Sequence, residues 1–214
     1  VYSAEDGVVP IEQLREQSRY AVKGACDILQ KGTDKRFFFL SRPFLEAGGG
    51  YGTFHAWTYQ PYPVTAALSN MNYRLGDAIY RGDVKNLPGG VSGYVFDDGV
   101  GNDTVIFYSD EQNYVTIKAD KVTYSDLYGY EEEKTADAGG EIKILVSEDP
   151  IYVKFNGRWS EDNYYKSPYE PLQMTKLDFD KPHRVVINAV WDDQDLSQSA
   201  LMQKGYILEQ EDEQ

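Results

Sequence analysis

The chain has 214 residues, of which 41% are hydrophobic and 26% are charged, a composition typical of globular domains rather than disordered segments. Its 21 Lys and Arg residues against 35 Asp and Glu residues give a net charge of −14, which disfavours binding to the phosphate backbone of nucleic acids. No apolar run reaches the ~18–20 residues that a membrane span needs. The single cysteine, Cys26, excludes an intrachain disulfide and a cysteine-rich zinc site.

The first part of the chain carries a helical pattern. Apolar residues from position 10 to 31 recur at three- and four-residue steps, which predicts an amphipathic helix ending near Gly32. The continuous apolar run from Phe37 to Leu40 is typical of a strand buried on both faces. A loop rich in Gly and aromatic residues is predicted over 41–60, and a second helix follows from Pro63 to Gly76.

After Gly76, short alternating runs are separated by Gly and Asp turn signals, a pattern typical of a sandwich or barrel. The segment from 156 to 181 has no period, and we predict a linker whose aromatic residues pack against a neighbour. The expected fold class is mainly β: an antiparallel, jelly-roll-like β-sandwich with an N-terminal α/β segment of two helices and one strand. Strands are predicted at 78–81, 93–96, 104–108, 114–118, 122–124, 141–146, 151–155 and 184–191.

Ordered short motifs over residues 10–156 resemble the end of a clan-A type glycoside hydrolase. The run Glu46-Ala-Gly-Gly-Gly-Tyr-Gly followed by Gln60-Pro-Tyr-Pro resembles the last βα unit of the catalytic barrel. The runs Asp126-Leu-Tyr-Gly and Pro150-Ile-Tyr-Val resemble the β-sandwich that follows the barrel in such enzymes. The resemblance implies three regions: a barrel remnant at 1–76, a β-sandwich at 77–156, and an aromatic linker, returning strand and acidic tail at 157–214.

This resemblance also implies that the catalytic residues lie elsewhere. The acid/base and nucleophile of such barrels follow the fourth and seventh strands, upstream of the segment present here, and a complete barrel takes about 250 residues. We therefore expect a chain that is not an enzyme by itself, but the non-catalytic C-terminal part of a secreted protein, extracellular or periplasmic. It would support an upstream catalytic domain of the same protein and bind carbohydrate. An independent carbohydrate-binding module and a small intact glycosidase are the alternatives.

Without the rest of a barrel, the apolar faces of residues 1–76 would be partly exposed, and large exposed apolar patches favour association. We expect this segment to dock on the sandwich, to dimerise or to be poorly ordered.

The best candidate sugar site is an aromatic cluster in the linker. Trp159, Tyr164 and Tyr165 stand beside Asp162 and Asn163. Aromatic rings stack on the apolar face of a pyranose, while carboxylates and amides bind its hydroxyl groups. Docking of the same rings onto a neighbouring sheet is the alternative, and we favour it.

Three residues of the Gly-rich loop are weaker candidates for sugar contact in the parent barrel. Glu46 is the one acidic residue of that loop, and His55 lies beside Trp57. The alternatives are that Glu46 binds backbone amides and that His55 lines a packed loop.

An acidic hairpin is the candidate metal site. Asp97, Asp98, Asn102 and Asp103 offer hard oxygen ligands of the kind that Ca²⁺ prefers. Tight turns also select Asp and Asn for their own hydrogen bonds, and we favour this alternative. The run Asp192-Asp-Gln-Asp195 has the same two interpretations, and we expect no other cofactor.

Overall fold

The fold is taken from a computed structural model, which describes residues 9–31, 44–46, 49–55, 58–76 and 78–168. The strands predicted at 37–40 and 184–191 lie outside the described residues, as do the acidic run at 192–195 and Trp57.

Both predicted helices and all the predicted strands between 78 and 155 are present. The elements of the described residues, in chain order, are α1 (Ile11–Leu29), β1 (Phe44–Glu46), β2 (Gly49–Tyr51), α2 (Pro63–Leu75), β3 (Ile79–Val84), β4 (Val91–Asp97), β5 (Asp103–Ser109), β6 (Asn113–Lys118), β7 (Lys121–Ser125), β8 (Glu131–Thr135), β9 (Glu141–Val146), β10 (Ile151–Phe155), a short 3-10 helix (Glu161–Asn163) and β11 (Tyr164–Lys166).

The second helix shows the predicted start and stop signals. Pro63 occupies the first turn of α2, where its missing N–H needs no partner. Gly76 follows the last turn, and its backbone N–H donates to the carbonyl of Asn72 at 2.8 Å.

Two antiparallel sheets face each other across an apolar core. Seven strands form one sheet in the order β11-β3-β4-β5-β10-β7-β8, which we call the main sheet. Strands β6 and β9 pair to form the second sheet, which we call the ribbon. Alternate residues of the ribbon are buried against the main sheet, as expected for a strand with one wet face. The fold is thus mainly β, an antiparallel sandwich with two helices, as predicted.

The two helices cover the opposite face of the main sheet. Every residue of β5 is buried, because this central strand has the ribbon on one side and the helices on the other. Of the three outcomes expected for residues 1–76, the described helices show docking. No helix among the described residues is long and apolar enough to cross a membrane.

Three features have no counterpart in the predicted elements. β8 lies at one edge of the main sheet and consists of Glu-Glu-Glu-Lys-Thr, so its side chains carry no hydrophobic alternation. Short, charged strands at sheet edges discourage pairing between molecules. β11 forms the other edge within the segment predicted as a linker, and it pairs with β3. The hairpin of β1 and β2 lies in the segment predicted as a loop.

Candidate functional site

The two helices contact one face of the main sheet, and we call this contact the seam. It combines an apolar floor with hydrogen bonds and ion pairs at its margins. Its floor is apolar, and small side chains on the helices let the backbones approach the sheet closely. The side chains that meet there are Val22, Ala25 and Cys26 of α1, Ala67, Met71 and Leu75 of α2, and Tyr94, Phe96, Ile106, Tyr108 and Tyr152 of the main sheet.

Two arginines close the seam at α1. Arg15 and Arg19 are one helical turn apart, so both point to the same side of the helix. Arg15 Nε donates to the two carboxylate oxygens of Asp149 at 3.2 and 3.1 Å. Arg19 Nε donates to Asp149 at 2.5 Å, and its Nη1 donates to Glu148 at 2.5 Å. The loop between β9 and β10 is thereby attached to the helix.

The charge state of Asp149 follows from these contacts. Burial by itself would raise the pKa of Asp149, but the hydrogen bonds from Arg15 and Arg19 outweigh it and hold the pKa below its usual value. The hydrogen bond to Asp149 raises the pKa of Arg15 in turn. Asp149 and Arg15 therefore both stay ionised at neutral pH.

A buried amide closes the seam at α2. Asn70 Nδ2 donates to the backbone carbonyl of Asp126 at 2.9 Å, in the loop between β7 and β8. Its Oδ1 accepts from Arg74 Nε at 3.2 Å, and the Arg74 guanidinium pairs with Glu131 at the start of β8. Because Asn70 is almost fully buried, an unpaired amide there would be costly.

Buried tyrosines lie beneath α1. The hydroxyls of Tyr94 and Tyr108 are 3.2 Å apart, and Tyr108 donates to Asp27 at 3.5 Å. The Lys23 ammonium lies 4.8 Å from the centre of the Tyr108 ring. Burial, with the hydrogen bond to Tyr94, raises the pKa of Tyr108, and burial also raises that of Tyr94. Both phenols therefore remain neutral near pH 7.

The structure separates the predicted aromatic cluster of the linker. Trp159 and Tyr164 are only 8% and 1% exposed, and both pack in the core between the main sheet and the ribbon. Trp159 stacks on Phe155 and Tyr164, with centroid distances of 5.1 and 6.5 Å. Tyr165 is exposed, because successive side chains of a strand point to opposite faces. The rings cannot form one platform, and the docking alternative fits their positions.

The backbone of the polar members, Asp162 and Asn163, makes local hydrogen bonds. Ser160 begins the 3-10 helix, and its hydroxyl accepts from the backbone N–H of Asp162 at 3.4 Å. The carbonyl of Asn163 accepts from the backbone N–H of Lys85 at 2.8 Å, and the carbonyl of Asp162 accepts from the Lys85 ammonium at 3.2 Å.

The candidates of the Gly-rich loop are partly described. Glu46 is the last residue of β1, opposite Gly49. His55 Nδ1 accepts from the backbone N–H of Thr58 at 3.1 Å, and its ring meets Tyr62 edge-on at a centroid distance of 6.2 Å. These contacts fit the packed-loop alternative for His55.

The acidic hairpin is brought together, but protein donors occupy its oxygens. Asp98 accepts from the backbone N–H groups of Val100 and Asn102 at 3.0 and 2.9 Å. Asp103 is fully buried, and its carboxylate accepts from the backbone N–H of Trp159 at 2.8 Å. No group of three or more His, Cys, Asp or Glu side chains suited to a metal ion occurs among the described residues. These hydrogen bonds are those expected of the turn alternative, and Ca²⁺ binding stays a prediction.

Arg158 adds to this hairpin. It pairs with Asp97 and donates to Asp103 at 3.1 Å, so the loop after β10 is held against the start of β5.

Sequence reasoning missed the polar residues of the seam. Arg15 and Arg19 had a local signal, since two arginines one turn apart flank the apolar stripe of α1. Their partner Asp149 follows more than a hundred residues later, and nothing in the local pattern pairs it with them. The Asn70 contact likewise needs the fold to be known.

No protein-family model and no curated protein sequence matches the chain. The fold is similar to part of a family 39 glycoside hydrolase from the gut symbiont Bacteroides cellulosilyticus WH2, with a TM-score of 0.51 and 18% sequence identity. The similarity covers 64% of this chain and 30% of that chain, so the present chain matches less than a third of that enzyme's length.

Two further glycoside hydrolases show weaker similarity. A putative α-N-acetylgalactosaminidase from Bacillus halodurans C-125 has a TM-score of 0.33 and 12% identity over 42% of this chain and 23% of its own. A family 27 β-L-arabinopyranosidase from Geobacillus stearothermophilus has a TM-score of 0.28 and 12% identity over 36% of this chain and 19% of its own. With the family 39 structure, the chain shares the fold alone.

Proposed function

We propose that the chain is the non-catalytic C-terminal β-sandwich region of a secreted glycoside hydrolase-like protein, and that it supports the catalytic domain through α1 and α2. In this proposal the helices belong to the last unit of the catalytic barrel, and the main sheet is the platform on which they rest. The fold similarity to part of a family 39 glycoside hydrolase supports the assignment of the region.

One observation carries the support role: the helices and the main sheet share an apolar core closed by directional polar contacts. Apolar burial alone attracts two surfaces without defining their relative position. The Arg15 and Arg19 contacts to Asp149 and the Asn70 contact to Asp126 each require one position of helix on sheet. Such a junction suits a region that holds a neighbouring domain in place.

The test uses the complete protein encoded by the same reading frame. We expect an upstream segment of alternating strands and helices with two carboxylates at strand ends. In that protein, Asn70→Ala and Arg19→Gln should lower the temperature of heat inactivation while leaving the KM for a glycoside unchanged. Lys166→Gln is the control, because its ion pair with Glu161 lies on the edge strand β11, away from the seam.

Two results would contradict this function. The first is a reading frame with no upstream barrel-like segment. The second is hydrolysis of chromogenic glycosides by the present chain, with turnover abolished by Glu46→Gln, which would make it a small intact glycosidase.

A further inference from the structure

A concave pocket lies between α2 and the loop that joins β7 to β8. It is shallow and open to solvent, with a volume of about 380 Å³, so it suits a ligand that lies along the surface. Tyr73 from the helix and Tyr128 from the loop line it, together with Ser69, Arg74 and Glu131. We call this feature the tyrosine pocket. Among the residues that the structure describes, its lining includes none of the predicted sugar-site residues.

The two tyrosine rings are accessible rather than packed in the core. Tyr73 is 80% exposed and Tyr128 is 37% exposed. A tyrosine ring presents a large apolar face with little rotational freedom to lose on binding. Two such rings on the walls of one pocket offer apolar surface to a flat ligand face.

The loop that carries Tyr128 is held rigidly. The carboxylate of Asp126 accepts from the backbone N–H groups of Tyr128 and Tyr130 at 2.9 and 2.8 Å. Leu127 is buried in the core of the seam, and Gly129 takes a φ of 101°, which a residue with a side chain rarely adopts. A wall that is ordered before binding lowers the entropic cost of binding.

The polar groups of the pocket are oriented and nearly neutral in sum. Arg74 pairs with Glu131, and its guanidinium lies 5.2 Å from the centre of the Tyr73 ring. Asn70 fixes Arg74 from below through its Oδ1. The Arg74 side chain is only 6% exposed and is bonded to Asn70 and Glu131, so it orients the Glu131 carboxylate, which is 48% exposed. That carboxylate accepts hydrogen bonds, and the exposed Ser69 hydroxyl can both donate and accept. A ligand with many hydroxyl groups and no charge fits this set, whereas an anion would meet the Glu131 carboxylate.

We propose that the tyrosine pocket binds a neutral saccharide, with a sugar ring against Tyr73 and Tyr128 and its hydroxyl groups on Glu131 and Ser69, while Arg74 holds the Glu131 carboxylate in place. This binding goes beyond the proposed support of a catalytic domain and does not require it. The pocket would place a stretch of polysaccharide on the sandwich, beside the loop between β7 and β8.

Affinity gel electrophoresis of the full chain in neutral polysaccharides tests the proposal. The gels contain arabinoxylan, galactomannan, mixed-linkage β-glucan or hydroxyethyl cellulose. We expect at least one of them to retard the chain. Tyr73→Ala and Tyr128→Ala should each weaken that binding about 3- to 10-fold, the range expected for loss of one aromatic face contact. Tyr73→Phe and Tyr128→Phe should retain most of it, because the ring face remains.

Tyr20→Ala is the matched control. Tyr20 is 73% exposed on α1 and does not line the pocket. This variant should bind like the original chain, and thermal unfolding should show that all the variants remain folded.

Three results would overturn the proposal. The first is that none of the four polysaccharides retards the chain. The second is that the double Tyr73→Ala, Tyr128→Ala variant is retarded as strongly as the original, and the third is that Tyr20→Ala loses as much retardation as that double variant. The seam variant Arg19→Gln and its control Lys166→Gln should both leave retardation unchanged, so this test and that of the support role give separate answers.

Discussion

The two faces of the main sheet are covered in different ways. On β10, Val153 points to the ribbon and Tyr152 points to the helices. The core on the ribbon side is built of aliphatic and aromatic side chains, including Trp159 and Tyr164. The core on the helix side has an apolar floor as well, but Asn70, Arg19 and Asp149 close its margins with hydrogen bonds and ion pairs.

The difference follows from how each cover is positioned. Backbone pairing aligns the two ribbon strands residue by residue, so alternation of side chains is enough to aim their apolar face. A helix on a sheet has no backbone ladder to align it, and apolar contact alone lets it slide. Directional polar contacts at the margins supply the missing alignment, in keeping with a support role for this face.

The largest expected effect is on the ribbon face. Ile144→Ala removes a fully buried side chain from the core, and we expect a loss of about 3–4 kcal/mol in the free energy of unfolding. Leu145→Ala is the control, since the next residue of the strand is 45% exposed and should cost under about 1 kcal/mol. Urea unfolding measures both. Equal effects would show that the ribbon does not bury the face described here.

Loss of the polar contacts at α2 should lower the free energy of unfolding by less than a cavity in the ribbon core does, but by a measurable amount. Asn70→Ala leaves the carbonyls of Asp126 and Leu127 without their amide donor and removes the partner of Arg74. We expect a loss of about 2 kcal/mol by urea unfolding. Asn72→Ala, an exposed asparagine on the same helix, should change stability by less than about 0.5 kcal/mol. A neutral Asn70→Ala would mean that alignment of α2 comes from apolar packing alone.

The contacts of Asp149 with α1 should make the free energy of unfolding depend on pH in the acid range. The pKa of Asp149 is lower in the folded state than in the unfolded chain, so its contribution is complete above about pH 4–5 and is lost as pH falls through the folded pKa. Asp149→Asn should cost about 1–2 kcal/mol at pH 7 and make unfolding less dependent on pH between 5 and 2. Urea unfolding over that range measures the slope. Glu148→Gln is the control, because it removes a more exposed carboxylate and should cost less stability at pH 7 than Asp149→Asn.

The smallest effect should come from the buried phenols. Because burial raises the pKa of Tyr94 and Tyr108, their contribution is present below the ordinary tyrosine pKa of about 10 and is lost as pH rises above it. Tyrosinate absorbance should show the buried pair, Tyr94 and Tyr108, ionising only when the chain unfolds. Tyr108→Phe should cost about 1 kcal/mol at pH 7, since Tyr94 loses its hydroxyl partner. Ionisation of Tyr108 in the folded chain would contradict this burial.

Local patterns predicted much of the fold. The apolar stripes of α1 and α2, the proline and glycine at the ends of α2, and the alternation in β6 and β9 each record a one-sided burial, which leaves a period in the sequence. The strand β8 left no such record, because an edge strand of glutamates exposes its side chains in any case. The candidate site was far less predictable. Trp159 and Tyr165 suggested a sugar platform by their residue types, while their opposite directions depend on the path of the chain after β10.

The sequence by itself determined the class of fold, the two helices and the strands with a wet and a dry face, because short-range periodicity encodes which side of an element meets the core. Only the tertiary structure decided that the helices pack on the main sheet, that Arg15 and Arg19 meet Asp149, and that Tyr73 and Tyr128 line one pocket. These are contacts between segments far apart along the chain, and no local spacing of residues specifies which distant surfaces come together.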